Sequence, residues 1–238
     1  MLITTKAIVI SAIKYGEADL IIKLFTESSG LKSYLLRGVL KSKRGKFRAS
    51  QFQPLTLLEV VAKHKDKGTL ESLKEAKILA TYQSLHTDIL KSTVIMFLAE
   101  FLRNAVQEEE KNPKLFQFLE NAFLWFDSNS SSNFHLLFLI KLSLFLGFYP
   151  EATNRRATFF NLLDGTFQDV STNSYCISGE NKDTLEVLLG INFDGLEELK
   201  LNQSNRSGML SMLLLYYELH LQGFKKPKSL TVLKEIYS

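Results

Sequence analysis

The chain has 238 residues, 45% of them hydrophobic, and a formal net charge of +4. That length suits one large domain or two modest ones with a proper core. Its single cysteine, Cys176, excludes an intramolecular disulfide and any zinc site built from this chain's cysteines. The charge is unevenly spread. Residues 1–80 hold 15 Lys or Arg against 7 Asp or Glu, and the remainder holds 14 against 18. A basic N-terminal part on an acidic remainder points to a polyanion-binding module joined to something else. The first residues, MLITTKAIVISAI, are too polar and too short for a signal peptide, since Lys6 interrupts them. The most apolar run, Phe134 to Phe148, contains Lys141 and falls short of the ~20 residues that span a bilayer. The expectation is a soluble, cytoplasmic protein without membrane contact.

Five short segments rich in β-branched and apolar residues come first: 4–13, Leu20 to Thr26, Leu31 to Val39, Leu55 to Ala62 and Leu70 to Ile78. Tyr15-Gly16-Glu17, Ser28-Ser29-Gly30 and the polar stretch His64 to Gly68 separate them. Five strands at close spacing predict a small barrel, and a long basic loop makes an OB-type barrel over residues 1–80 the natural form. From about Thr81 the period changes. Leu90, Val94, Phe97, Leu98, Phe101 and Ala105 recur at three and four, the spacing of an amphipathic helix that Glu108-Glu109-Glu110 ends. Asn112-Pro113 then supplies an N-cap and a first helical residue. Leu115, Leu119, Ala122 and Phe126 form that helix's buried side. Phe134 to Leu146 is apolar nearly all round and predicts a buried helix. Asp164-Gly165 between alternating residues predicts a hairpin within 151–180. Helices follow over 183–189 and 204–221, and Ser229 is placed to cap a last one through Tyr237. The fold class is therefore α+β: a five-stranded module, then an α-helical domain over 81–238 with an inserted hairpin.

Motifs for catalysis are missing. There is no phosphate-cradling loop, no dinucleotide fingerprint and no HExxH. His64, His86, His135 and His220 stand singly, and consecutive glutamates at 108–110 cannot converge on one metal. Cys176 has only Lys182 as a nearby activating group. No catalytic residue, cofactor or metal is expected.

The chemistry lies in residues 32–48. Lys32, Arg37, Lys41, Lys43, Arg44, Lys46 and Arg48 occur there with no acid, and Tyr34 and Phe47 sit among them. Lysine and arginine release counterions from phosphates, and aromatic rings stack on bases whatever the sequence. Strand periodicity sets Lys32, Tyr34 and Leu36 on one face, a cation beside an aromatic ring. Non-specific nucleic-acid binding follows, with Lys14 and Lys23 assisting. The alternatives are a solvated loop without a ligand, a protein–protein adaptor with incidental DNA contact, and an enzyme acting on nucleic acid. Clustered acids for two-metal chemistry are lacking for the last.

These residues resemble the bacterial recombination and repair family RecO. The likeness lies in Tyr15-Gly16-Glu17, LIIKLFTESSG, Arg37-Gly38 ahead of Lys41-Ser42-Lys43, Pro54-Leu55 opening LTLLEV, and YYELHLQGFKKPKSLTVLKE at 216–235. It covers most of the chain in order. The resemblance implies an OB fold and a helical domain with a small zinc-ribbon-like insertion, and a nucleoid-associated protein. It implies binding of single- and double-stranded DNA and annealing of complementary strands. It further implies work with RecR, and usually RecF, to load RecA onto strands coated by SSB, through the SSB C-terminal tail. Many relatives carry four cysteines around the hairpin. Cys176 alone cannot supply the about four ligands of a structural zinc. The hairpin is expected to be metal-free, held by Phe159, Phe160, Leu162 and Phe167.

Overall fold

A computed structural model describes residues 2–41, 45–65, 70–106 and 110–236. The chain is α+β. Five N-terminal strands, β1 (Leu2–Tyr15), β2 (Asp19–Thr26), β3 (Gly30–Leu36), β4 (Leu57–Lys63) and β5 (Ser72–Ile78), form one antiparallel sheet in the order β3-β2-β1-β4-β5. The sheet is open. Its two edges meet through a parallel bridge between Tyr34 and Glu71, where the Glu71 N–H donates to the Ser33 carbonyl at 2.8 Å. A full barrel ladder, as the strand spacing predicts, does not continue from β3 to β5.

Alternation along the strands builds the core. Val9, Ile22, Leu24, Tyr34, Leu36, Leu58 and Val60 point to one side and are almost fully buried. Phe52, from a 3₁₀ turn at Ala49–Phe52, closes that core. The other side of the sheet is covered at one end. Phe25 of β2 stacks on Phe116 of α2 (Pro113–Ser128) with ring centroids 6.2 Å apart. Lys6 of β1 donates to Glu120 of α2 at 2.8 Å. That hydrogen bond holds the Lys6 ammonium above its usual pKa. Helix α1 (Ile89–Ala105) also packs on β1. As expected, the Asn112 side chain caps α2, accepting from the Leu115 N–H at 3.0 Å.

The described residues divide into two compact units: 2–128 with 227–229, and 129–226 with 230–236. The first contains the sheet, α1 and α2. The second contains α3 (Phe134–Phe145), α4 (Glu180–Gly190), α5 (Gln203–His220), α6 (Leu230–Ile236) and a small sheet. Helix α3 is buried on nearly every face, as its all-round apolar sequence requires. Ser229, just ahead of α6, is tied to Glu100. Its hydroxyl donates to Glu100 Oε2 at 2.7 Å, and Glu100 also accepts the N–H groups of Lys228 and Ser229. Burial would raise the Glu100 pKa, but these donors outweigh it and hold the carboxyl below its usual range. Among the described residues no helix is long and apolar enough to cross a membrane.

The Asp164-Gly165 hairpin forms. Strands β6 (Phe159–Asn161) and β7 (Thr166–Gln168) pair across it, and a third short strand, β8 (Cys176–Ile177), adds to β6. Phe160, Leu162 and Phe167 are buried there, and Phe159 is half-buried. The buried Asn161 side chain organises the turn, donating to Asp164 at 2.6 Å and accepting from the Leu163 N–H at 3.0 Å. The residues do not fit a zinc ion. The neighbours of the Cys176 sulfur are the Gln168 amide at 3.3 Å and the Thr172 hydroxyl at 3.7 Å. Among the described residues no three His, Cys, Asp or Glu side chains converge. Aromatic packing holds the element instead: Phe160 lies 4.8 Å from Phe167 and 5.9 Å from Tyr216. Gly165 is required at its position. Its φ is +68°, and an added Cβ would lie 2.6 Å from the Tyr216 hydroxyl, which itself donates to the Phe148 carbonyl. Gly165→Ala is therefore expected to cost ~2 kcal/mol, measured by urea denaturation.

Candidate nucleic-acid interface

The cation-rich segment leaves β3 and returns through the 3₁₀ turn to β4. Both of its ends are fixed. At the start, the Gly38 N–H donates to Asp19 Oδ1 at 2.8 Å and the Leu40 N–H donates to the Ala18 carbonyl at 2.9 Å. Val39 is buried between them. At the far end, the Arg48 N–H donates to Gln51 Oε1 at 2.8 Å, and the Gln51 amide donates to the Ala76 carbonyl at 3.2 Å. Phe47 lies edge-on to buried Phe52, with centroids 6.1 Å apart. These two ends are thus held while Arg37, Lys41, Lys46 and Arg48 remain exposed. Lys43 and Arg44 lie outside the described residues.

The segment carries no acid of its own, but the fold brings acids to it. Lys41 pairs with Glu17 at 2.7 Å, and Lys46 lies 3.8 Å from Glu75. All four side chains are more than half exposed. Such pairs contribute ~0–1 kcal/mol, so a phosphate can take a carboxylate's place at small cost. The pairing partners lie 24 and 29 positions away in sequence, which is why the segment alone does not reveal them.

Tyr34 is a correction. Its ring is fully buried, and its hydroxyl lies 2.7 Å from Nε2 of buried His64. The face carrying Tyr34 and Leu36 is the core face, so Tyr34 offers no surface to a base. Lys32 shares that parity and is half-buried at its end. Tyr34→Phe is expected to lower stability by ~1–2 kcal/mol through the lost buried hydrogen bond. Its affinity for DNA should match the wild type, which an anisotropy titration beside a urea curve would check. Phe47 is half-buried against the same core.

A second candidate surface is the uncovered end of the sheet's outer side, which carries Lys23. There, Ser11, Lys23 and Ser33 lie in register across β1, β2 and β3, followed by Ile13, Ile21 and Leu35. Lys23 was legible as a basic residue; its placement on the open side needed the register.

In the second unit, a cavity of about 390 Å³ lies among α3, α5 and α6. Leu210, Leu230 and Leu233 give it an apolar lining, with Arg206 and Lys234 at its walls. Asn133, Ser132 and Leu201 accept from Arg206 and fix its guanidinium. His135 also lines it. Burial, with the charge of Arg206, pushes this imidazole down to about 3, so it is neutral at physiological pH.

Comparison with known proteins resolves the family. The model described as "Recombination protein O N terminal" matches residues 1–82, and "Recombination protein O C terminal" matches 86–230. The chain belongs to the recombination protein O family. It is 59% identical to the DNA repair protein RecO of Christiangramia forsetii, 46% to that of Flavobacterium psychrophilum and 37% to that of Bacteroides fragilis. Each alignment covers all of this chain and all of the relative. The two RecO family matches meet between residues 82 and 86, just after the five-stranded sheet.

Proposed function

We propose that this RecO family member is a non-catalytic mediator of DNA repair and recombination. Its N-terminal sheet acts as an OB-type module that binds single- and double-stranded DNA. It anneals complementary strands and, with RecR and in some settings RecF, assists loading of RecA onto strands coated by SSB, engaging the SSB C-terminal tail. Full-length identity to proteins named DNA repair protein RecO is the observation that carries this reading. The exposed cations Arg37, Lys41, Lys46 and Arg48, on a backbone pinned at both ends, support it. They supply charge without base-edge recognition, which suits a protein that must act on any sequence.

The test is fluorescence anisotropy of labelled single-stranded and duplex oligonucleotides over a range of salt concentrations. Tight binding with a steep negative log–log slope is expected for both. Binding that is weak and insensitive to salt would remove DNA as the ligand.

A further inference from the structure

The outer side of the sheet is half covered. Its covered half carries Phe25 beneath Phe116 and Lys6 beneath Glu120. The other half is a small platform with three rows. Ser11, Lys23 and Ser33 form the first, Ile13, Ile21 and Leu35 the second, and Tyr15 with Asp19 begins the third. Ile13 is 52% exposed and Tyr15 56%. Asp19 is engaged by the Gly38 N–H, and exposed Arg37 follows β3 beside it.

A bulge in β1 creates this surface. The register between β1 and β2 shifts between Val9 and Ser11. Before the shift, Ala7 and Val9 face the core; after it, Ser11, Ile13 and Tyr15 face outward with Lys23 and Ile21. Without the extra residue, simple alternation would send the tyrosine to the inner side. An exposed aromatic ring and a partly exposed aliphatic row therefore lie on the same face as Lys23.

Resting on the DNA-binding reading above, the geometry points to this platform as the seat for the bases of a single strand, with Tyr15 as the stacking ring. Lys23 and Arg37 take the flanking phosphates. Charge selects the occupant: Lys23 and Arg37 border the platform, and the acid within its rows, Asp19, is already engaged by the backbone. A polyanion with exposed flat faces matches that pattern. In a duplex the base faces are covered by their neighbours, so the ring contributes only to single strands.

The experiment compares wild type, Tyr15→Ala, Tyr15→Phe and Lys23→Ala by anisotropy with single-stranded oligothymidylate and with duplex DNA. Stacking contributes ~1–3 kcal/mol per base, so Tyr15→Ala should lose about 5- to 150-fold on the single strand with an unchanged salt slope. Its duplex affinity should stay within about twofold, and Tyr15→Phe should match wild type. Lys23→Ala should reduce the single-strand slope by ~0.7. Photocrosslinking of the wild type to an iododeoxyuridine oligonucleotide should map to Tyr15, a measurement independent of any variant's folding. Wild-type binding with an unaffected Tyr15→Ala protein overturns this assignment alone, as does equal loss on both DNA forms. Absence of wild-type binding removes the DNA-binding reading and the platform with it.

Discussion

Replacing Lys41, Lys46 and Arg48 together by glutamate is expected to weaken single-strand binding by more than a hundredfold at about 0.1 M salt. Each phosphate neutralised on a single strand contributes ~0.7 to the magnitude of the log–log salt slope. Three contacts therefore supply ~2 units of slope, equivalent to about a hundredfold between 0.1 and 1 M salt. Reversal adds repulsion to that loss. The three side chains are exposed, and the ion-pair partners of Lys41 and Lys46 among the described residues, Glu17 and Glu75, are surface acids. Folding should therefore survive, and a circular dichroism melt would verify it. Duplex binding should fall as well, because phosphates are common to both ligands. Unchanged affinity with an unchanged slope would remove the segment from the interface and leave its cations as solvated surface.

Asp127→Ala is expected to destabilise the first unit by about 3 kcal/mol. This carboxylate at the end of α2 organises the chain entering α1. Its Oδ1 accepts the N–H groups of Ser84 and Leu85 at 2.8 and 3.0 Å, and its Oδ2 accepts that of Gln83 at 2.9 Å. The Ser84 hydroxyl and the Lys91 ammonium donate to the Asp127 carbonyl at 2.6 and 2.8 Å. Lys91 is itself buried, lying 5.5 Å over the Phe126 ring. Alanine leaves three backbone donors without their acceptor. Hydrogen bonds to a charged group are worth ~1.5–3 kcal/mol each, and water recovers part of that at this half-buried site.

Burial pushes the Asp127 carboxyl upward in pKa, but the N–H donors and the Ser84 hydroxyl outweigh it and hold the group below the usual range. A depressed folded pKa gives stability that is fully present above the unfolded value of ~3.9 and is lost as pH falls through the folded value. Urea denaturation from neutral to acid pH should show the wild-type advantage over Asp127→Ala shrinking below about pH 4. A constant difference across that range would mean the carboxylate's charge is not what stabilises the turn.

Local patterns determined much of this protein. The change from period two to periods of three and four separates the sheet from the helices because strand and helix side chains repeat at different intervals. Asn112-Pro113 starts α2, and Asp164-Gly165 turns β6 into β7, since each acts through its own backbone and nearest neighbours. The cations of residues 37–48 were likewise visible, because charge is a property of composition. Their pairing with Glu17 and Glu75 was not, because it depends on strands distant in sequence.

Sidedness was decided by tertiary structure. Alternation divided β3 correctly into two faces but could not say which one the core would claim. Packing against Ile22, Phe52 and Leu58 claimed the Tyr34 face and took that ring from any ligand. One additional residue in β1 reversed the alternation and turned Tyr15 outward. A bulge is an event of pairing between two strands, so neither strand's sequence announces it.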